Sequence, residues 1–296
     1  MPGTAELRGL RRRIRSVKST QKITRSFELI AASRINRARA AVEAARPYAT
    51  MITRVIRDLT TEVEALTHPL LEPRPETRQV GILVIASDRG LAGAYNTNIV
   101  RRAERLAAEE RQAGREVSVY TIGRKAETYF RYRGTAPVQT WTGMSDQPTS
   151  ADAREVGNAV VEAYVEHRVD RFWMVYTDFR SALNQVTATA RLLPVEATQF
   201  EGGSAYPPQF MFEPDPASIL SQLIPRYVEQ RLYAGLLESA ASEHASRQRA
   251  MKAATDNAGE LLEDLTREAN RARQAAITTE ISEIVGGAEA LSQNSS

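Results

Sequence analysis

Apolar positions in the first 65 residues recur at helical intervals. Ile14, Val17, Ile23, Phe27, Ile30, Ile35, Ala38 and Val42 lie three to seven residues apart. No glycine falls between Gly9 and Gly81. The pattern predicts one long helix over 4–65. Pro47 should bend it or start a new helix, and the cluster HPLLEPRPE (68–76) should end it.

From 79 to 195 the pattern changes. QVGILVIASD (79–88) is a short, nearly continuous apolar run of the kind found in strands buried on both faces. EVSVYTIG (116–123) and RFWMVYTDF (171–179) look the same. Helical stretches near 95–113 and 151–168 separate them, so a mostly parallel sheet covered on both faces is expected. VTATARLLPV (186–195) alternates with period two and reads as an edge strand. Residues 200–216, rich in glycine and proline, read as a linker.

Residues 217–290 predict a second very long helix. At about 1.5 Å per residue it would span roughly 110 Å, more than a compact domain of this size. Between 238 and 260 the only large apolar residue is Met251, among seven alanines. Such a helix must pair narrowly with another. The first long helix, with Ala31, Ala32, Ala38, Ala41 and Ala45, is the natural partner. The expected fold is α/β: a long antiparallel coiled coil of the N- and C-terminal helices with an inserted Rossmann-like domain. Residues near Ala38 should face residues near 238. The boundaries are 1–66 for the first helix, 77–199 for the α/β domain, 200–216 for the linker and 217–296 for the second helix. Pro225 should kink or break the second helix. The C-terminal tip, being longer than its partner, should protrude alone.

Charge adds an asymmetry to this picture. The chain has 296 residues and a net charge of +3, but residues 1–60 hold 14 Lys/Arg against 4 Asp/Glu and the remainder 25 against 32. A basic N-terminal segment calls for an acidic partner: nucleic acid, membrane or protein. Cysteine is absent, which excludes disulfides and thiol chemistry. His68, His167 and His244 are far apart, which argues against zinc. No run of 18 apolar residues occurs, and the N-terminus lacks the apolar segment of a secretory signal.

Candidate chemistry is sparse. SDRGLAGAYN (87–96) stands between strand and helix, where phosphate loops sit, yet it is neither G-x-G-x-x-G nor G-x-x-x-x-G-K-[ST]. A structural or contact loop is the better reading. RGLRRRIRSVKSTQKITR (8–25) could be a nucleic-acid arm, a solvated face or a basic face turned to an acidic protein; no aromatic interleaves it. Asp88, Asp170, Asp178 and Glu162 read as strand-end and helix-surface carboxylates: the chain has no cysteine, and His167 near Asp170 and Glu162 does not by itself make a catalytic set. In ITTEISEIVGGAEA (277–290), Ile277, Ile281, Ile284 and Val285 share one stripe, and Gly286–Gly287 should fray the last turn. If the partner helix ends earlier, this stripe needs a socket in another protein.

That C-terminal run, I-T-x-E-x-x-E-x-x-x-G-A, resembles the signature of ATP synthase gamma subunits. SVKSTQKITRSFELIAASR (16–34), SDRGLAGAYN, FEPDP (212–216) and MKAATDNAG (251–259) resemble further blocks of the family, in its order and over essentially the whole chain. The resemblance implies a non-catalytic rotor shaft in a ring of three alpha and three beta subunits. Epsilon and a membrane c-ring would lie at its foot, with the assembly on the cytoplasmic side of a bacterial plasma membrane. It implies no cofactor, no metal, no nucleic acid and no direct nucleotide binding. Arg273 and Gln274 match a pair that contacts a beta-subunit loop. Thr278 and Glu280 match coupling positions, and Lys22, Arg25, Phe27 and Arg89 would join the beta contact. Phe210, Phe212 and Glu213 match the foot that faces the c-ring and epsilon. Phe27 departs from the methionine usual in its block. Two rival readings remain: a nucleotide-dependent enzyme built on the α/β domain, and a coiled-coil DNA-binding protein.

Overall fold

The computed structural model describes residues 2–62, 68–196, 200, 213 and 215–293. In chain order the elements are α1 (Pro2–Glu62), β1 (Gln79–Ile85), α2 (Tyr95–Gln112), β2 (Glu116–Ile122), α3 (Arg124–Tyr132), β3 (Gln139–Trp141), α4 (Ser150–Val165), β4 (Arg171–Phe179), β5 (Gln185–Leu193) and α5 (Pro216–Gln293). They form two compact units, 31–247 and 1–30 with 248–296.

The larger unit holds a five-stranded sheet in the order β3-β2-β1-β4-β5. Strands β1 to β4 are parallel and β5 is antiparallel to β4. The period-two segment therefore does form an edge strand. Apolar runs become strands here because both faces are covered. Val80, Ile82 and Val84 pack with Ile99, Ala103 and Leu106 of α2 and Phe130 of α3. Leu83 and Ile85 pack on the opposite side with Ile52, Ile56 and Leu59 of α1, Val156 and Val160 of α4, and Leu232 and Leu236 of α5. Gly235 allows α5 to come close to the sheet: a Cβ there would lie 2.8 Å from the Met174 sulfur. Two short elements, α3 and β3, have no counterpart in the sequence reading. Each is too brief to show a period of its own.

Helix termini follow local chemistry. Thr149 and Asp152 form a reciprocal capping box at the start of α4. Asp215 accepts from the Ser218 amide at 2.8 Å and the Ser218 hydroxyl at 2.6 Å, with Pro216 at the first helical position of α5. These same hydrogen bonds hold the Asp215 carboxyl below the usual range.

Three expectations need correcting. Helix α1 runs unbroken through Pro47, so no second helix starts there. Helix α5 runs unbroken through Pro225, and the break expected there is absent. Isoleucine and leucine on both sides of Pro225 are held in the core, Leu220, Ile224 and Leu232 among them, and this packing outweighs the cost of about 3 kcal/mol for an interior proline. Helix α5 also continues past Gly286–Gly287 rather than fraying there.

Helix pairing is antiparallel in each unit. In the larger one, Gln230 Nε2 donates to the Ala45 carbonyl at 3.5 Å, while Ala38, Ala41, Leu237 and Ala240 line one cavity of about 180 Å³. This matches the expected register of Ala38 against 238. In the smaller unit, the Thr255 hydroxyl donates to Thr24 Oγ1 at 2.8 Å, and Gly259 lies against Gln21. Part of the apolar pattern read along α1 does not face α5 there. Thr24 and Glu28 are buried, whereas Ile23, Phe27 and Ile30 are exposed.

Gly123, between β2 and α3, has φ +92°, and a Cβ would fall 2.3 Å from the Ala86 carbonyl oxygen. Gly114 has φ +79° with open space around it. Gly123→Ala should therefore destabilise the chain by about 3 kcal/mol or more, against about 1 kcal/mol for Gly114→Ala. Urea unfolding of the two variants checks this, and equal losses would refute the clash.

Candidate functional site

In an open α/β sheet, ligands usually bind beyond the carboxyl ends of the strands, where the strand order reverses. Here that point lies between β1 and β4. The chain's own helix occupies it. Tyr95, at the start of α2, donates its hydroxyl to the Ser239 carbonyl at 3.2 Å. Ser239 Oγ accepts from the Thr177 amide at 3.3 Å, and the Ser242 hydroxyl donates to the Thr177 carbonyl at 3.3 Å. Arg247 reaches the Gly90 carbonyl at 3.2 Å. The alanine-rich second part of the larger unit's α5 thus fills the crevice with small and polar side chains.

The 87–96 loop is held by its own residues. The Ser87 amide and hydroxyl both donate to Asn96 Oδ1, at 3.0 and 2.9 Å. Asp88 accepts from the amides of Arg124 and Gly143 and the hydroxyl of Ser145 at 2.8–3.2 Å. Asp170 likewise accepts from the amides of Arg78 and Gln79, each at 2.9 Å. Both carboxylates tie loops to strand ends. Leu91 was missed by sequence reasoning. It is 61% exposed and sits at φ +63°, which is unfavourable for a branched side chain. The neighbouring Arg89 is exposed, and its side chain makes no hydrogen bond or ion pair among the described residues.

Behind the loop lies a buried polar cluster. Glu243 and Arg247 pair at 2.5 Å, one turn apart on α5. His244 Nε2 lies 3.1 Å from the Asp146 carbonyl oxygen, and Arg34 of α1 pairs with the Asp146 carboxylate. Burial pushes the Glu243 carboxyl up to about 7, against the pull of Arg247 and with help from Asp146 and Asp88. Burial also lowers His244, while the Asp146 carbonyl and carboxylate act the other way. Among the described residues, no group of three or more His, Asp or Glu could hold a metal.

The residues singled out in sequence fall on surfaces. Lys22, Arg25 and Phe27 are exposed on α1, and Arg25 holds both Glu28 carboxylate oxygens at 2.9–3.0 Å. Phe27 is exposed together with Ile23 and Ile30, its neighbours in the apolar pattern of α1. Arg273, Gln274, Thr278 and Glu280 are exposed on α5, where the Thr278 hydroxyl donates to the Gln274 carbonyl at 3.0 Å. Ile277, Ile281, Ile284 and Val285 are 49–66% exposed, a stripe with nothing from its own unit laid over it. Glu213 is exposed, whereas Phe210 and Phe212 lie outside the described residues. No helix is long and apolar enough to cross a membrane, among the residues described.

A Rossmann-like sheet whose crevice is filled by a long paired helix, with apolar stripes exposed on both partners, defines an assembly protein built around a helix pair. A family described as ATP synthase matches residues 6–291. The chain is 51% identical to the ATP synthase gamma chain of Frankia casuarinae over 97% of its length and 98% of the relative's. It is 49% identical to that of Mycobacterium tuberculosis over 98% and 99%. The chain belongs to the ATP synthase gamma-chain family. Its fold is also similar to a chain of the Euglena gracilis mitochondrial ATP synthase OSCP/F1/c-ring structure, with a TM-score of 0.68, 17% identity and coverage of 97% and 95%. For a chain of the Tetrahymena thermophila central stalk/c-ring structure the TM-score is 0.59, with 21% identity and coverage of 78% and 99%.

Glu243 ionises near 4.5 when unfolded and near 7 when folded. Its raised value favours the folded chain fully below about pH 4.5, and this contribution is lost as pH rises towards 7. Glu243→Gln should flatten the fall in stability across that window by up to about 1.4 kcal/mol per pH unit. Urea unfolding at pH 5, 6 and 7.5 measures the slope, and an unchanged slope would show that Glu243 does not titrate there.

Proposed function

We propose that the chain is the central rotor shaft of an F-type ATP synthase. It couples proton flow through a membrane c-ring to ATP synthesis or hydrolysis at beta subunits and carries no catalytic residue itself. The observation that supports this best is the unpartnered apolar stripe of Ile277, Ile281, Ile284 and Val285 at the end of α5, in a member of the gamma-chain family. Its partners would be three alpha and three beta subunits, epsilon and the c-ring, at the cytoplasmic face of a bacterial plasma membrane. In this reading, 1–66 and 217–296 are the shaft helices, 77–199 the inserted domain and 200–216 the foot, with Phe210, Phe212 and Glu213 turned to the c-ring and epsilon.

The mechanism is one of differential contact. A shaft with an asymmetric cross-section, set in a threefold ring, presents a different face to each beta subunit. Each site then shifts towards the state that its face binds better. The grip must also be released at every step. Exposed ion pairs contribute about 0–1 kcal/mol each, so Lys22, Arg25, Arg89, Arg273 and Glu280 can exchange partners as the shaft turns. Phe27, Gln274 and Thr278 add apolar and hydrogen-bonding contact around them.

Arg273→Ala with Gln274→Ala should leave the complex assembled, because alanine is the best helix former. It should depress ATP synthesis and ATP-driven proton pumping by removing charge-assisted contacts worth about 1.5–3 kcal/mol. Subunit content measured beside turnover is the check. Full turnover would take these residues out of the mechanism, and failed assembly would make them structural.

The α/β domain should hold no nucleotide, since α5 fills its crevice and Arg247 occupies the Gly90 carbonyl. Calorimetry of the purified chain with ATP–Mg should show no binding. One-to-one micromolar binding abolished by Gly90→Val would contradict this.

A further inference from the structure

The sheet has two unequal edges. Strand β3 has three residues, whereas β5 has nine and is hydrogen-bonded to β4 alone among the described strands. Long edges are normally blunted by proline, by charges or by bulges that turn the edge away. Residues 185–193, QVTATARLL, contain no proline, lysine or carboxylate and a single arginine; the register shift at Leu192 falls at the end of the strand and leaves 185–191 in regular pairing with β4.

A basic groove lies next to this edge. It has a volume of about 830 Å³ and is lined by Asn98, Arg101, Arg102 and Arg105 of α2 together with Thr187 of β5. Five arginines and one glutamate contribute to its whole lining, although residues 61–296 taken together carry more acidic than basic groups. Arg102 divides its guanidinium between Glu109 at 3.2 Å and the Thr189 hydroxyl at 3.5 Å, which places it over the β5 edge. Arg101 and Arg105 are exposed and make no hydrogen bond or ion pair with any described residue.

We propose that an extended acidic segment of another subunit adds to the outer edge of β5, its alternate carboxylates paired with Arg101, Arg102 and Arg105. The geometry suits this occupant. Alternate side chains of a strand repeat at about 6.8 Å, and the rise from Arg101 to Arg105 along the helix is about 6 Å. Main-chain hydrogen bonds along the edge supply affinity, and the arginines select for acidic side chains. The occupant is distinct from the beta-subunit contacts proposed above, though the inference rests on the same reading that this chain works inside a multi-subunit complex.

The test uses the assembled complex carrying Arg105→Lys, treated with a carbodiimide that joins an amine to a carboxylate only where they touch. Mass spectrometry should find the introduced lysine linked to an aspartate or glutamate of another subunit. Amide exchange across 186–192 should be slower in the complex than in the isolated chain, by about tenfold or more. Arg101→Glu with Arg105→Glu should abolish that protection. Links only to Glu104 or Glu109 of the same chain, or exchange across 186–192 that assembly does not change, would overturn the proposal. Failure of the unmodified chain to co-purify with alpha and beta subunits would instead count against the rotor reading.

Discussion

A parallel sheet must be covered on both faces, and in this chain one of the covers is part of a helix 78 residues long. Much of the larger unit follows from that arrangement. Helices α2 and α3 close one face. On the other face α1 and α4 leave a strip that Leu220, Ile224, Val228, Leu232 and Leu236 of α5 fill. These residues recur every four positions, so the buried row winds around the helix, and Tyr227 and Leu237 widen it. Gly235, beside that row, lets the backbone reach the Met174 side chain. The domain's core and the register of its longest helix are therefore set by the same contacts.

The same helix changes character within a few residues. After Leu237 its buried positions are small or polar, Ser239 to Ala245 with Glu243 and His244 among them, and it leaves the apolar face to fill the crevice beside Thr177 and Gly90. An open α/β sheet that binds a dinucleotide keeps that space free for its ligand. Here the hydroxyls of Ser242 and Tyr95 and the guanidinium of Arg247 satisfy or use the polar groups that a ligand would otherwise meet. Arg247 also pairs with Glu243, whose carboxyl is pushed up to about 7 by burial.

Surfaces left after this packing are of two kinds. Apolar stripes stand exposed at Ile23, Phe27 and Ile30 on α1 and at Ile277, Ile281 and Ile284 on α5. Exposed apolar rows of this length in a family whose members form large complexes are contact surfaces in waiting. Basic side chains at Lys22 and Arg273 lie near these rows in sequence, where weak, exchangeable ion pairs suit a surface that has to release its partner.

By itself the sequence determined the elements whose signal is local. Continuous apolar runs gave β1, β2 and β4, and the alternation of 186–195 gave an edge strand, because burial on two faces or on one leaves different periods. The alanines of 238–260 gave a helix that must pair closely, and its approximate register, in which Ala38 and Ala41 share a cavity with Leu237 and Ala240. The tertiary structure decided what local pattern cannot carry. It passed two long helices through Pro47 and Pro225 without a break, since packing on both sides outweighs one lost hydrogen bond. It put Thr24 and Glu28 in the seam and turned Ile23, Phe27 and Ile30 outward, a choice between adjacent stripes that depends on where the second helix lies. It also filled the crevice at the strand ends with Ser239, Ser242 and Arg247, residues 62 to 157 positions from the partners they meet, and no spacing along the chain records a contact of that kind.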